Sequence, residues 1–381
     1  MSELDPVHDA LERLEWAEGK QEPTPVSRWR AVTRRSALTG GAAGLAATLL
    51  AACGSSGRNA SAAVPGGGAQ GVFGQAGSQL EFVLVNHVTT NPFFVPTRYG
   101  AEDACKLLGC SYQWTGSENS NVNEMVSAMN SAITRRANGI AVCLVDRNAF
   151  NGPTDKALQS NIPVVAFNAD TPANNRLAYI GQDLFLSGQE MGRRIMQLVP
   201  SGDVALFIAT PGSVNIQPRL DGILDMINAL GKGLTPHTVA TGAAVPAELS
   251  VIDAYAQSHP NTKGYFAVDG GSTQCVAQTM QKHNLRAKGV KAGGYDITPI
   301  TQRLLAAGQI DFTIDQQPYL QGFLPILQMY MYNASGSLSG IADTNTGLKF
   351  LDKTTVAPYN RTKSRYEGTA SAAGVAKAPG R

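Results

Sequence analysis

Polar and aromatic side chains follow the predicted β-strands of this chain, at the point where each strand ends. An amide and two aromatic rings follow the first strand, and carboxylates, amides and one guanidinium follow later strands. The set is Asn91, Phe93, Phe94, Asn168, Asp170, Arg219, Asp269, Asp296 and Gln316. Aromatic faces stack on the C–H face of a sugar, while carboxylates, amides and a guanidinium hold hydroxyls through paired hydrogen bonds. The combination predicts a site for a small, neutral ligand rich in hydroxyls.

Neutral ligands are favoured because Arg219 is the single cation of this set. A ligand carboxylate would need more positive charge, and an amino acid would need a dedicated site for each of its charges. Seven of the nine residues also have a purely structural interpretation: Asn91 as a turn initiator, Asp269 and Asp296 as helix N-caps, Asp170 as a turn residue, Arg219 as a solvated helix residue, and Phe93 or Phe94 as core. The functional interpretation depends on all of them falling at strand ends together.

The elements that would position these residues alternate in type from Glu81 onward. Short β-rich runs separated by segments of helical period are the signature of parallel βαβ units. In the helix predicted over 122–135, apolar residues recur at three- and four-residue steps, so one face packs on a sheet. The predicted strands of the first series are 82–85, 111–114, 140–144 and 163–167, and those of the second series are 204–208, 265–268, 290–295 and 312–314.

The sequence therefore predicts an α/β protein of two doubly wound parallel-sheet lobes, joined by a hinge of several chain crossings. A helix over 319–332 and short runs at 349–351 and 355–358 return the chain to each lobe. The predicted domains are a first lobe of 80–182 plus about 317–345, a second lobe of 183–316 plus about 346–360, and a disordered, basic tail of 361–381. Ligands of open parallel sheets lie outside the carboxyl ends of the strands, where the nine residues fall.

The first eighty residues have the composition of an export signal. Arg34 and Arg35 precede the run 39–52, which is too short and too rich in Gly and Ala for a comfortable membrane span. Leu50 to Gly54 resembles a lipobox, in which the Cys53 thiol takes a lipid. Residues 1–52 are predicted to be a twin-arginine lipoprotein signal peptide and 53–79 a flexible tether. The mature protein would be anchored to the outer face of the cytoplasmic membrane.

Composition excludes several classes of function. The 31 basic and 29 acidic side chains leave a formal charge of +2 without a basic stripe, so nucleic acid is an unexpected partner. Five cysteines are too few and too irregularly spaced for a disulfide framework, and no C-x-x-C pair predicts zinc. No hydrolase, metalloprotease or phosphate-loop motif is present in the fold. We expect no catalytic residues, no cofactor and no metal.

An ordered series of short motifs carries a family resemblance. It includes Asn91-Pro92-Phe93-Phe94, Ile162-Pro163-Val164-Val165, Tyr179-Ile180-Gly181-Gln182-Asp183, Gly294-Tyr295-Asp296 and Asp315-Gln316-Gln317-Pro318. Over roughly residues 80–360 the chain resembles the ribose-type periplasmic sugar-binding proteins of ABC importers. The resemblance implies a type I periplasmic-binding-protein fold, a monomer that closes on its ligand, and an ABC permease as partner.

The resemblance also implies which residues contact sugar. These are Asn91, Phe93 and Phe94 from the first lobe, with Arg219, Asp269, Asp296 and Gln316 from the second. The chain departs from the family pattern at three places. Asn168-Ala169 stands where ribose binders have an Asp-Arg pair, Asp269 replaces an amide, and Cys143 replaces a polar residue. Ribose itself is therefore not expected, and the hypothesis is a tetritol, a pentitol or a different furanose.

Two other functions remain as alternatives, and a third is set aside. A sugar or signal-molecule receptor that feeds a membrane sensor would share the fold and the export signal. An enzyme could in principle use the strand-end acids as an acid/base pair. A sugar-responsive repressor would need a helix-turn-helix ahead of the lobes, and this chain has an export signal there instead.

Overall fold

The computed structural model describes residues 79–361 and 364–371. The predicted signal peptide (1–52) and tether (53–79), with Arg34, Arg35 and Cys53, lie outside these residues apart from position 79. Within the described residues, no helix is long and apolar enough to cross a bilayer.

The first half of the chain alternates strands and helices. Its elements are β1 (Glu81–Asn86), α1 (Val95–Leu108), β2 (Ser111–Gly116), α2 (Val122–Thr134), β3 (Gly139–Val142), α3 (Asn151–Gln159), β4 (Val164–Phe167) and β5 (Ala178–Gly181). Helix α2 begins where the side chain of Asn121 accepts hydrogen bonds from the backbone of Asn123 and Glu124. Its buried face carries Met125 and Met129, as the three- and four-residue periodicity predicts.

The second half repeats this plan. Its elements are α4 (Leu184–Leu198), β6 (Gly202–Ile208), α5 (Gln217–Leu230), β7 (Leu234–Ala240), α6 (Val245–Ser258), β8 (Gly264–Ala267), α7 (Gly270–Lys282), β9 (Lys291–Tyr295), α8 (Pro299–Ala306) and β10 (Phe312–Asp315). The chain then forms α9 (Leu320–Ser335), β11 (Thr344–Asn345), β12 (Lys349–Leu351) and α10 (Ala357–Arg361).

The strands form two six-stranded sheets. The first has the order β11-β5-β4-β3-β1-β2 and the second the order β12-β10-β9-β8-β6-β7. All neighbouring strands are parallel except β12, which runs antiparallel to β10. Strands β3, β4 and β8 are buried at every position, as expected where helices cover both faces. The predicted α/β class with two parallel sheets is confirmed. We call each sheet with its helices a lobe.

Each lobe has one pair of helices in very close contact. A Cβ at Gly100 of α1 would lie 2.1 Å from the carbonyl oxygen of Tyr319, and one at Gly322 of α9 would lie 1.8 Å from that of Thr97. In the second lobe, a Cβ at Gly188 of α4 would lie 2.1 Å from the carbonyl oxygen of Arg219, at the start of α5. Only glycine permits such approaches, because any side chain would enter a backbone atom of the partner helix.

Some elements differ from the prediction. Strand β7 was not predicted, because its edge position leaves all of its residues at least partly exposed and it contains Pro236. Helix α7 begins at Gly270 rather than Gln274, because the Asp269 side chain caps it. The run over 355–358 was predicted only to return the chain to a lobe, without a type of element, and the chain is helical from Ala357.

The tail over 361–381 was predicted to be disordered, but residues 364–371 pack on α1. Arg365 is buried; its guanidinium donates to Asp103 at 2.9 Å and to Glu102 at 2.6 Å, and lies 4.1 Å from the centre of the Tyr99 ring. Low complexity predicts disorder only where no partner surface exists. Here the partner surface is formed by residues more than 260 positions earlier.

Candidate functional site

Asp296 follows β9 and is the strand-end acid whose side chain is least used by the fold. It is buried, and its backbone has φ = 69°, a left-handed conformation that is uncommon for a residue with a side chain. It caps no helix, since Thr298 caps α8. Burial raises the pKa of Asp296 to about 6, although the positive charge of Arg219 opposes the shift. The residue is therefore held in a costly conformation and environment, as functional groups often are.

A chain of hydrogen bonds links Asp296 in the second lobe to Asn168 in the first. The Gln316 amide donates to Asp296 Oδ1 at 2.8 Å. The Gln321 amide donates to Gln316 Oε1 at 3.2 Å, and Gln321 Oε1 accepts from Asn168 Nδ2 at 3.0 Å. All four side chains are buried. A side chain that lost its hydrogen-bond partner would therefore stay buried without one, which costs free energy. The chain connects the two sheets through their strand ends.

The polypeptide backbone crosses between the lobes in the same region. Gln182 follows β5, and its amide donates to the carbonyl of Gly347 at 3.0 Å. Thr346 Oγ1 donates to the carbonyl of Gln316 at 2.8 Å and accepts from Gln321 at 3.1 Å. These contacts join three passages of the backbone between the sheets, near 182, 316 and 346. A cluster of crossings at one edge is the arrangement that a hinge requires.

Arg219 lies at the start of α5, buried against the other strand ends. Its guanidinium donates to the carbonyl of Val268 at 3.0 Å and to Gln182 Oε1 at 2.9 Å, and it lies 4.0 Å from the centre of the Tyr295 ring. Among the described residues its Nε has no hydrogen-bond partner. A buried guanidinium with an unused donor is suited to a ligand oxygen, because the donor otherwise stays unsatisfied.

Asp269 follows β8 and is largely committed to the fold. Its Oδ1 accepts from the backbone of Ser272 at 2.8 Å, which caps α7, and its Oδ2 accepts from the backbone of Ala209 at 3.1 Å. Burial raises its pKa, and these two bonds oppose the shift. The structural interpretation of Asp269 as an N-cap therefore holds. It also fixes the ends of β6 and β8 relative to each other.

Glu248 of α6 is a second buried acid close to Asp269. Burial, with the negative charge of Asp269 adding to it, raises the pKa of Glu248 to about 8. Gly271 makes room for it, since a Cβ there would lie 2.4 Å from Glu248 Oε2. Glu248 was not predicted from the sequence because it lies within a helix rather than at a strand end.

The raised pKa of Glu248 predicts how stability changes with pH. Between pH 4.5 and about 8 the unfolded chain loses the Glu248 proton while the folded protein keeps it, so the free energy of unfolding falls as pH rises. Glu248→Gln, which mimics the protonated acid, should match the parent near pH 5 and be roughly 2–4 kcal/mol more stable near pH 8.5. Thermal unfolding across this range tests it. The exposed Glu118→Gln is the control, and parallel pH profiles for the parent and Glu248→Gln would contradict the assignment.

The aromatic pair after β1 divides between core and surface. Phe94 is buried in the first lobe, with its ring centre 5.4 Å from His87 and 6.1 Å from Trp114. Phe93 is half-buried and packs edge-on against Phe94 at 4.8 Å. Asn91 is exposed, and its side-chain oxygen accepts from the backbone of Phe93 at 2.9 Å. Phe93 is thus the member of this segment that presents an available ring.

A cavity of about 160 Å³ lies between elements of both lobes. Phe93 and Pro96 line it from the first lobe, and Asp296 and Thr298 line it from the second. Residues Tyr366 to Thr369 also border it. Most of its lining is apolar, and the groups that a sugar could contact are the Phe93 ring, the Asp296 carboxyl and the Thr298 hydroxyl.

A wider depression of about 450 Å³ lies elsewhere, lined by residues around Ala137 and Ile162. These residues precede β3 and β4, so the depression is at the amino ends of the strands, whereas ligands of parallel sheets bind at the carboxyl ends. Within the described ranges no group of three or more His, Cys, Asp or Glu could hold a metal ion.

The nine predicted residues are thus only partly brought together. Asn168, Asp296 and Gln316 belong to one hydrogen-bonded chain, Arg219 and Asp269 lie beside it, and Phe93 shares the cavity with Asp296. Asp170 is separate, because Arg176 holds its carboxylate in an ion pair. Gln182 and Gln321, the residues that join the lobes, were missed as site residues. Gln182 could have been found, since it follows the strand run Tyr179 to Gly181.

Comparison with known proteins gives a consistent set of matches. Residues 82–336 match the family model of the periplasmic binding protein domain. The chain is 50% identical over 307 residues to the xylose/arabinose-binding protein XylF of Sulfolobus acidocaldarius, covering 77% of this chain and 75% of that protein. It is 23% identical over 242 residues to the ribose import binding protein RbsB of Escherichia coli, covering 62% of this chain and 78% of that protein.

Solved structures match in the same way. An ABC transporter solute-binding protein from Burkholderia graminis, in complex with D-arabinose, has a TM-score of 0.70 and 25% identity, covering 75% of this chain and 99% of that one. The glucose-galactose binding protein GanP of Geobacillus stearothermophilus has a TM-score of 0.66 and 24% identity, covering 73% and 99%. The second likeness concerns the fold alone.

Proposed function

Because this chain belongs to the periplasmic binding protein domain family, we propose that it captures a pentose of the xylose or arabinose type outside the cytoplasm and delivers it to an ABC permease. The family is one of solute-binding proteins. The resemblance inferred from the motif series, to sugar-binding proteins of ABC importers, is confirmed.

The observation that carries the proposal is the cavity with Phe93 on one side and Asp296 on the other. A ring can stack on the C–H face of a pentose, and a carboxyl can accept from its hydroxyls. Arg219 does not line this cavity, and its unused donor is a further group that a sugar oxygen could reach beside Asp296. Since the groups come from both lobes, a bound sugar favours the arrangement in which they face each other, by its higher affinity for that arrangement.

The proposed ligand class differs from the one that the sequence alone predicted. The departures at Asn168-Ala169 and Asp269 predicted a tetritol, a pentitol or a furanose other than ribose. The relative with 50% identity is named for xylose and arabinose, which favours an aldopentose for this chain as well.

A thermal-shift panel tests the proposal. It contains D-xylose, both arabinose enantiomers, D-ribose, hexoses, tetritols and pentitols, with amino acids as negative controls. At one hundred times its dissociation constant a ligand stabilises the folded state by about 2.7 kcal/mol, which raises the Tm by several degrees. We expect xylose or arabinose to give the largest shift. A larger shift with a polyol would restore the earlier hypothesis, and no shift with any sugar would refute the proposed function.

We further propose that Cys53 carries the lipid anchor, after export by the Arg34-Arg35 signal. The support is the sequence alone, in the lipobox-like run that ends at Cys53. Cys53→Ala should move the protein from the membrane fraction to the soluble fraction of cells that export it. An unchanged membrane fraction would refute the anchor.

A further inference from the structure

Two cysteines face each other at the carboxyl end of α1. The helix ends at Gly109, whose φ of 71° turns the chain, and the backbone N–H groups of Gly109 and Cys110 both bond to the carbonyl of Cys105. The bond from Cys110 is the 6→1 bond of a Schellman helix end, and the bond from Gly109 is the 5→1 bond of the αL motif. At such helix ends the side chains at the positions of Cys105 and Cys110 frequently come into contact. The contact usually joins two apolar side chains, and here both are cysteines.

The helix end places the two side chains next to each other, since Cys105 belongs to the core of the first lobe and Cys110 packs against that core. Cys105 is buried, whereas Cys110 is half-buried and open to solvent on one side. The interaction with the neighbouring thiol lowers the pKa of Cys110 and, together with burial, raises that of Cys105. Cys110 is thus the more reactive thiol of the pair, because thiolates are the nucleophiles in disulfide exchange. The other described cysteines, Cys143 and Cys275, are fully buried in different lobes.

We propose that Cys105 and Cys110 form a disulfide when the protein is outside the cytoplasm. The inference uses the extracytoplasmic location, since oxidising compartments sustain disulfides. The Cys110 thiolate attacks a protein or small-molecule disulfide, which forms a mixed disulfide and releases one thiol. Cys105 then loses its proton and attacks Cys110 Sγ, which releases the second thiol. Two protons leave the cysteines, and two electrons reduce the oxidant from disulfide to dithiol.

The bond closes a ring of six residues around the end of α1. It fixes the helix end that packs beside Glu102 and Asp103, the partners of Arg365. A short ring restricts the unfolded chain only modestly, so the expected gain in stability is small. We expect reduction to lower the Tm by a few degrees and to leave the affinity for sugar unchanged, because neither sulfur lines the cavity.

Peptide mapping gives a direct test. The full chain is equilibrated with oxidised glutathione, alkylated in denaturant without reductant, and digested with trypsin. Cleavage after Arg98, Lys106 and Arg135 places the two cysteines in separate peptides, 99–106 and 107–135. The proposal predicts a linked pair of these peptides that separates on reduction. Recovery of both peptides alkylated and separate would overturn it.

Variants distinguish the bond from a general effect of reductant. In Cys105→Ser the Tm should equal that of the reduced parent, and added reductant should change it no further. Cys275→Ser is the matched control, in which reductant should still lower the Tm by the parent's amount. An equal response to reductant in Cys105→Ser and in the parent would also overturn the proposal. Loss of sugar binding in the thermal-shift panel would leave this inference intact, since its readout does not involve ligand.

Discussion

Replacing Arg219 by lysine should weaken the binding of xylose or arabinose about 100-fold. Lysine keeps the positive charge and has three donors on one nitrogen, but it loses the planar fork that reaches the carbonyl of Val268 and Oε1 of Gln182 together. The unused Nε donor, which we propose for the sugar, is lost as well. Isothermal titration calorimetry measures the affinity. Thermal unfolding without ligand shows whether the variant is folded.

Arg193→Lys is the control for this substitution. Arg193 lies on the exposed side of α4 and pairs with Glu190 there, so its replacement should leave the affinity within about twofold, as surface ion pairs contribute little. An unchanged affinity in Arg219→Lys would mean that the guanidinium only supports the fold and does not contact the sugar.

Replacing Gly322 by alanine should destabilise the protein by roughly 3 kcal/mol. The added methyl would lie 1.8 Å from the carbonyl oxygen of Thr97, so α9 must move away from α1 and the packing between them is lost. This is a large part of the total stability of a typical domain. Denaturant unfolding measures the change, and Gly100→Ala on the opposing helix should have a similar effect.

Gly152→Ala is the matched control. Gly152 is also in a helix, α3, but a Cβ there has no atom within 4 Å. Alanine should leave the free energy of unfolding unchanged or raise it by up to about 1 kcal/mol, because it restricts the unfolded chain. If Gly322→Ala and Gly152→Ala were equally mild, the contact between α1 and α9 would be looser than described.

The fold could be predicted from the sequence where local pattern and tertiary environment agree. Strands such as β4 are continuous apolar runs because both faces are covered, and α2 shows its buried face as a regular spacing of apolar residues. Strand β7 has neither signal, because it lies at a sheet edge with most residues exposed. Residues 364–371 were missed for another reason: the surface that orders Arg365 is distant in sequence and cannot be read from the segment itself.

The site could be predicted only as far as it lies at strand ends. Asp296 and Gln316 follow their strands directly, so topology places them together. Gln321 is one residue inside a helix, and nothing local distinguishes it from a solvated glutamine. Its role depends on Asn168, which follows β4, and on Thr346, which lies at a crossing between the lobes. Asp170 shows the converse, since it follows a strand but is occupied by Arg176.

The packing of residues 364–371 on α1 bears on how far the lobes can move apart. Helix α10 belongs to the second lobe, where Tyr359 packs into the core and bonds to Asp315 at 3.2 Å. Only three peptide steps separate Arg361 from Ser364, and three residues span at most about 11 Å. If sugar enters by separation of the lobes, the distance between Arg361 and Ser364 cannot exceed this span while Arg365 stays bound to α1. A wider opening must first break the contacts of Arg365. The amplitude of opening is therefore restricted on this side of the molecule, in addition to the three crossings at the hinge.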